Sequence, residues 1–170
     1  GLGCFEYCLI TEQLSRGWMS VASIIARGNG TLTMDLLTDE QKNKLMPKVV
    51  SGEYLGAMSL SEPDTGSDLA SISCRAEKTV DGWEITGNKY WCTFADGADY
   101  ILLFARTGVD RIKGKPHVGI SAFLIDKPRG ELPLGVSGSI IPKIGYFGWS
   151  TWELAFDHVR LPHDALIGEE

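Results

Sequence analysis

The 170-residue chain is poor in the residues that build metal centres and membrane spans. It has only three histidines, His117, His158 and His163, and none stands in a His-Glu-x-x-His spacing. It has only four cysteines, Cys4, Cys8, Cys74 and Cys92, in neither a zinc-ligand nor a Cys-x-x-Cys pattern. No metal site is therefore expected, and the four thiols are expected to be free, in a reducing compartment. Cys4 and Cys8 are one helical turn apart, a spacing that predicts core packing. No apolar run approaches the roughly 20 residues of a helical membrane span, and no secretory signal pattern is present. The opening Gly1 and the closing Ile167-Gly168-Glu169-Glu170 read as cut ends. Positive charge is also scarce. Sixteen Lys and Arg against 22 Asp and Glu give a net charge of −6 and a pI near 5.1. That composition excludes nucleic acid as the main partner, because neutralising a phosphate backbone needs a basic face. It leaves room for a small anionic ligand, which a few backbone N–H groups can hold. Repeats and low-complexity segments are absent.

What is present divides into two halves. Residues 1–53 carry helical periodicity: Phe5 and Leu9, then Trp18, Val21, Ala22 and Ile25. Ser15-Arg16-Gly17 predicts a break between them, and Gly28-Asn29-Gly30 a stop. A further helix is expected from Thr38, an N-cap whose partner three places on, Gln41, completes a capping box. Leu45 and Val49 mark its apolar face, Pro47 a kink, and Gly52 its end. These apolar faces are more than three helices can bury among themselves, so they are expected to meet another domain or chain.

From residue 54 to 170 the period falls to two. Thr79–Ile85 reads as strand, Asp-Gly turn, strand. Gly87-Asn88 reads as a second turn before a strand Lys89–Thr93. Tyr100–Ala105 and Val118–Ile125 read as buried strands, with Asp126–Gly130 as a loop, and Trp152–Phe156 as another strand. The fold class expected is α+β, a helical segment followed by a mostly antiparallel β-sandwich or barrel domain.

Two segments carry the chemistry. In Ala57–Asp68 a strand enters a loop of hydroxyls and turn formers. Gly66 permits close backbone approach, Ser61, Thr65 and Ser67 offer donors, and successive N–H groups can cradle an anion. An ordinary capped surface turn is the competing reading. Asp64-Thr65-Gly66-Ser67 also spells the aspartic-protease signature, but Pro63 precedes it where strand residues are required, and no second copy exists. In the other segment, Trp91 and Thr93 are two apart on a strand. They share a face, and an aromatic plate beside a hydroxyl suits a planar heterocycle with a polar edge. A core Trp beside a strand Thr is the plainer reading.

The motifs together resemble the acyl-CoA dehydrogenase family. Leu60-Ser61-Glu62-Pro63 with Gly66-Ser67-Asp68 is similar to its Thr-Glu-Pro-x-x-Gly-Ser-Asp signature. Gly87–Thr93 is similar to its Gly-x-Lys-x-Trp-Ile-Thr strand. Phe156–Pro162, ending in Ile167-Gly168, resembles the segment that closes its β-domain. Asp39–Pro47 with Ser51-Gly52-Glu53 resembles the helix that leads into that domain. The resemblance implies that residues 1–53 end an N-terminal helical domain and that 54–170 form a middle β-domain for flavin and acyl-CoA. It implies FAD as cofactor, with Leu60 offering backbone atoms, Ser61 a hydroxyl, Trp91 a plane beside the flavin and Thr93 a hydroxyl near flavin N5. Ser67 would meet the cofactor's pyrophosphate or the acyl-CoA thioester. The implied reaction is α,β-dehydrogenation of an acyl-CoA, with hydride transfer to the flavin. No catalytic residue is expected in this chain, because the family's base lies in a C-terminal helical domain beyond Glu170. A fragment lacking that base is expected to be inactive. Acyl-CoA oxidases, nitroalkane-oxidising relatives and a non-catalytic binding or assembly module share the pattern. An electron-transfer flavoprotein partner, homo-oligomerisation and a cytoplasmic or mitochondrial-matrix location follow from the family alone. The chain departs from the family pattern with Ser61 for Thr, Asp64-Thr65 for Gly-Ala, Cys92 for Ile and Phe94 for Asn.

Overall fold

In the computed structural model, residues 3–28, 36–108 and 117–168 are described. The chain runs α1 (Cys4–Gly28), α2 (Asp39–Ser51), then strands β1 (Gly56–Ser59), β2 (Arg75–Lys78), β3 (Gly82–Thr93), β4 (Tyr100–Arg106), β5 (Ile120–Asp126), β6 (Val136–Ile140), β7 (Thr151–Pro162) and β8 (Leu166–Ile167).

The expected break in the first helix falls one residue after Gly17. Trp18 leaves helical geometry at φ −161°, ψ 113°, so α1 is two helices joined at a kink. The helix reaches Gly28; Asn29 and Gly30 of the expected stop lie outside the described residues. Cys4 and Cys8 are exposed, and so are Phe5 and Leu9 on the same helix. Helical spacing therefore names a shared face correctly, but the expectation that this face packs into the core is wrong. All four cysteines are free, Cys74 and Cys92 within the core.

Helix α2 follows from local chemistry. The Thr38 hydroxyl accepts from Gln41 N at 3.2 Å, and the Gln41 carboxamide accepts from Thr38 N at 3.0 Å. Two orphan N–H groups are thereby satisfied. The helix continues through Pro47 to a left-handed cap at Gly52. Leu45 is buried on its inner face and Val49 is half-buried.

The strands form one eight-stranded sheet in the order β6-β7-β3-β2-β4-β5-β8, with β1 beside β4. Pairing is antiparallel except for β1 with β4 and β2 with β4. Strand β4 reads as a continuous apolar run because both its faces are covered. Ile101, Leu103 and Ala105 join Trp83, Ile85, Phe123 and Phe156 in the main core. Tyr100 and Leu102 face Leu37 and Leu45 of the helical segment. Thr79 and Val80, expected at the end of a strand, belong instead to the turn between β2 and β3, where Thr79 N donates to Gly82 O at 2.9 Å. The expected turn at Gly87-Asn88 is not a turn. Strand β3 runs through it, with a register shift against β7 between Ile85 and Gly87. Gly87 sits at φ +147°, and a Cβ there would lie 2.7 Å from Cys74 Cα, so the glycine serves a bulge. Strand β6, with the sequence VSGSI, has no apolar alternation and is not legible as a strand; it pairs along β7.

Three carboxylates tie separate segments of the β-domain together. Asp99 accepts from Leu55 N at 2.7 Å and from the Arg129 guanidinium at 2.7 and 2.8 Å, and Arg129 also donates to Glu53 O. Asp96 accepts from Ser150 Oγ and Trp152 Nε1. Glu62 is the third, described below. Burial alone would push all three carboxyls up, but their hydrogen-bond donors outweigh it. Each is held below its ordinary value, 4.5 for Glu and 3.8 for Asp. The unfolded chain therefore binds these protons more tightly than the folded one. Their stabilisation is complete above the ordinary carboxylate range and is lost as pH falls through the folded values. Acid unfolding followed by circular dichroism is expected to show a plateau down to about pH 5 and a cooperative loss below it. Asp99→Asn is expected to make that loss shallower. Stability that rose between pH 5 and pH 3 would contradict this account.

Candidate functional site

The site begins with the buried pair Glu62–Lys89. Glu62 is 5% exposed and Lys89 is 0% exposed. Lys89 Nζ lies 2.9 Å from Glu62 Oε1 and also donates to Leu60 O at 2.9 Å. The remaining lone pairs of Glu62 accept from Ser73 N, Ser73 Oγ and Cys74 N at 2.7–2.9 Å. Every charge is met, as a buried pair requires. A tight turn follows, in which Glu62 and Thr65 exchange two backbone hydrogen bonds, and Tyr90 N donates to Ser61 O. The loop after β1 is thereby fixed against β3, with Leu60 and Ser61 facing outward. The turn geometry leaves Asp64 exposed on the surface.

Those two residues form one wall of an open cleft of about 340 Å³. Ala57 and Met58 of β1 continue this wall. Tyr90, Trp91 and Thr93 of β3, Ser23 of α1 and Tyr146 also line the cleft. Simple alternation puts Tyr90 on the face opposite Trp91. A second register shift, between Lys89 and Cys92, brings both into the cleft. Trp91 takes a left-handed backbone at φ 65°; the residue is 53% exposed and its ring stands edge-on to Tyr90. Phe94 and Tyr146 are also left-handed, at φ 68° and 61°, and so, away from the cleft, is His158 at 53°. Such conformations cost of order 1–3 kcal/mol each and gather where a site requires them.

The loop of residues 141–150 carries Tyr146. Lys143 Nζ ties it from beneath, donating to Tyr146 O, to Trp149 O at 2.6 Å and to Thr151 Oγ1 at 2.8 Å. Phe94 meets Trp149 edge to face, and Trp149 Nε1 donates to Ser20 O of α1. Helix and loop are so close at Gly148 that a Cβ would fall 2.3 Å from that of Ser20.

The sequence-expected residues Leu60, Ser61, Trp91 and Thr93 thus converge on one cleft, although two chain segments about thirty places apart supply them. Ser67 is exposed and is not part of its lining. Sequence reading does not find Ser23, Tyr90, Tyr146 or the Lys143–Thr151 contact; the density of aromatics and glycines in residues 145–149 is a signal for Tyr146 alone. Among the described residues that line it there is no Asp, Glu, Lys, Arg or His. The wall offers flat aromatic surface, hydroxyls and backbone, which fits a planar heterocycle such as flavin with polar atoms on its edge. Among the described residues it offers no carboxylate or imidazole to act as a general base. His158 is elsewhere, exposed on β7, with its Nδ1 2.8 Å from Glu84 and its Nε2 3.8 Å from Asp157. The Glu84 carboxylate raises its pKa in what is a surface pair. Among the described residues no cluster of His, Cys, Asp and Glu is arranged to hold a metal. No helix among them is long and apolar enough to cross a membrane.

Comparison with known proteins agrees with this geometry. The family model for the acyl-CoA dehydrogenase middle domain matches residues 57–159, and that for the N-terminal domain matches residues 1–53. The mitochondrial isovaleryl-CoA dehydrogenase of Oryza sativa subsp. japonica is 35% identical, over 100% of this chain and 41% of its own length. The (2S)-methylsuccinyl-CoA dehydrogenase of Cereibacter sphaeroides is 36% identical over 99% of this chain and 31% of its own. The crystal structure of an acyl-CoA dehydrogenase from Geobacillus kaustophilus superposes with a TM-score of 0.83 at 32% identity, covering 96% of this chain and 42% of that one. An FAD complex of PigA superposes at 0.82 with 27% identity, covering 99% of this chain and 44% of that one. The chain spans about two fifths of the first of these relatives. With both domain patterns in order and the β-domain folded as in these relatives, the chain belongs to the acyl-CoA dehydrogenase family.

Proposed function

We propose that the protein carrying this chain is an FAD-dependent oxidoreductase that desaturates an acyl-CoA thioester between its α and β carbons. The observation that supports this most is the cleft in which an exposed Trp91 is gathered with the hydroxyl-bearing Ser61 and Thr93. Bound FAD would supply the acceptor for the hydride leaving the β carbon. The chain's own residues orient and shield. Trp91 would offer an aromatic plane to the ring, and Leu60, Ser61 and Thr93 would hold its polar atoms through backbone groups and hydroxyls. Ser67, out on the loop, is assigned to the phosphate or thioester end of a ligand. The α-proton needs a base within about 3 Å. The described lining of the cleft supplies none, so the base is not assigned to the residues of this cleft.

The test uses the 170-residue chain and a version extended through whatever follows it. Visible spectra are recorded with added FAD, then after anaerobic addition of isovaleryl-CoA, the acyl-CoA named for the rice relative, and of a mixture of other acyl-CoAs. The expected result is flavin bound by the extended form and bleached by at least one acyl-CoA, with no bleaching by the 170-residue chain. Trp91→Ala in the extended form is expected to weaken FAD binding roughly tenfold or more, the value of one lost stacking contact of about 1–2 kcal/mol. Failure of both forms to take up flavin would refute the proposal and favour a binding or assembly module of the same fold.

A further inference from the structure

Strand β6 ends the sheet on one side, and among the described residues only β7 pairs with it. Ile141 N donates to Thr151 O at 2.8 Å, in the same register as the β6–β7 pairs. In an antiparallel ladder successive residues face alternate sides. Ser137, Ser139 and Ile141 therefore face β7, and Gly138 and Ile140 turn their N–H and C=O groups outward. Val136 also faces out, with its N–H given to Pro133 O at 3.0 Å. Among the described residues no backbone group pairs with the outward groups of Gly138 and Ile140. Natural sheet edges are blunted by charge, proline or shortness. At the other end of the strand order, β8 has only two residues. Strand β6 has five, none of them charged or proline. The uncharged stretch extends over residues 132–142, in a chain whose net charge of −6 otherwise makes copies repel. Large apolar side chains stand uncovered at both ends of it. Ile144 and Leu134 are the most exposed large hydrophobic residues described, at 104% and 97%, and Ile140 is 55% exposed.

We propose that this edge is an interface between two copies of the protein: β6 pairs antiparallel with the partner's β6 about a two-fold axis at Gly138. The proposal does not rest on the FAD reading. Val136-Ser137-Gly138-Ser139-Ile140 is nearly its own reverse, the self-complementarity that a two-fold contact requires. About that axis the two Gly138 residues exchange two hydrogen bonds, and each Ile140 N–H reaches the partner's Val136 O. Ser137 then stands opposite the partner's Ser139 in a non-hydrogen-bonded pair. Gly138 has no room for a side chain in its own sheet, since a Cβ would fall 2.4 Å from Glu153 O. Its bare backbone also lets a second strand approach. The same axis lays the Leu134 end of one copy against the Ile144 end of the other, so the two apolar ends cover each other. An unrelated extended peptide could match the hydrogen bonds but not this pairing of ends. Covering the edge and these side chains removes of the order of 500–800 Å² per copy, at or just below a standard interface. The association is therefore expected to be weak, with a Kd of about 1–100 µM.

The test uses the full-length protein. Sedimentation velocity of the wild type and of Ile140→Pro is recorded over a range of concentrations. Proline removes a donor that faces away from β7, which an edge strand tolerates, so the fold is expected to persist. Self-association is expected to weaken roughly tenfold or more, because one hydrogen bond is lost from each copy. The second measurement is cross-linking, in a background of Cys4→Ser and Cys8→Ser that removes the exposed thiols. Ser137→Cys protein is mixed with Ser139→Cys protein under mild oxidation. A non-hydrogen-bonded pair has its Cα atoms about 4.5 Å apart, within disulfide reach, whereas like residues of the two copies lie diagonally about 7–8 Å apart. The mixture is expected to give a covalent dimer on a non-reducing gel, and each variant alone is not. This arm keeps the proposal testable if Ile140→Pro misfolds. Equal linking in the mixture and in the single variants, or none in the mixture, would overturn the proposal. So would a sedimentation profile that is the same for wild type and a folded Ile140→Pro at every concentration. Protection of the Gly138 amide from hydrogen exchange that is equal in those two proteins would overturn it as well, because another part of the same protein would then cover the edge.

Discussion

Lys89→Met is expected to cost the protein about 3–5 kcal/mol of folding stability, because it removes one partner from a fully buried ion pair and leaves the other charged. Glu62 accepts four hydrogen bonds, from Lys89, Ser73 N, Ser73 Oγ and Cys74 N, in a site closed to solvent. With Lys89 gone, the carboxylate keeps its three other donors but loses its counter-charge, and Leu60 O loses its partner. Glu62→Gln is expected to cost at least as much, because both carboxylate oxygens accept from N–H donors, so the amide nitrogen would face a donor and Lys89 becomes an unpaired buried charge. The double variant Glu62→Gln, Lys89→Met should be less damaging than the sum of the two. Urea unfolding of the four proteins measures this coupling. Full additivity would show that the pair carries no mutual interaction. The same comparison separates structure from chemistry. Glu62 is a carboxylate inside a family signature, yet its four partners leave it no role as a base. The buried pair instead holds Leu60 and Ser61 at the cleft.

Residues whose structure depends on near neighbours were legible in the sequence. The Thr38–Gln41 capping box needs only four residues and forms as expected. The run Tyr100–Ala105 was legible because a strand covered on both faces has no polar alternation to hide it. Periodicity fails where the outcome depends on what lies opposite. Cys4 and Cys8 share a face whether or not anything covers it, and here nothing among the described residues does. Strand β6 is polar and glycine-containing because it pairs at the sheet's edge, so its pairing with β7 leaves no hydrophobic signature.

The cleft shows the same division. Leu60, Ser61, Trp91 and Thr93 belong to two compact motifs, and motif density made them visible before their convergence was. The tie from Lys143 to its loop is built from one side chain bonded to two carbonyls and a threonine. Such bonds impose no spacing rule. Tyr90 was missed for a related reason: strict two-residue alternation excludes it from the face of Trp91, and only the bulge brings it round. Backbone irregularity places the aromatic wall of the site, and period-based reading is blind to it.

The irregularity at Gly87 gives the second large expectation. Gly87→Ala is expected to destabilise the protein by roughly 2–5 kcal/mol, combining backbone strain with a steric clash. At φ +147° a side chain is strained regardless of space, and the new Cβ would stand 2.7 Å from Cys74 Cα and 2.9 Å from Cys74 Cβ. Neither atom is the free end of a flexible side chain. Cys74 N is itself bonded to Glu62, so a shift of Cys74 would disturb the buried pair as well. Asn88→Ala, one place on at an exposed position, is the control and should change stability by less than about 0.5 kcal/mol. If Gly87-Asn88 formed a turn at the surface, an added methyl would meet open space, and the two substitutions would differ only by the strain. Thermal unfolding of both variants distinguishes the cases. Trimming the neighbour by Cys74→Ala should not rescue Gly87→Ala, because the nearest clash is with the Cys74 backbone. A full rescue would show that the thiol, rather than the bulge, sets the requirement for glycine.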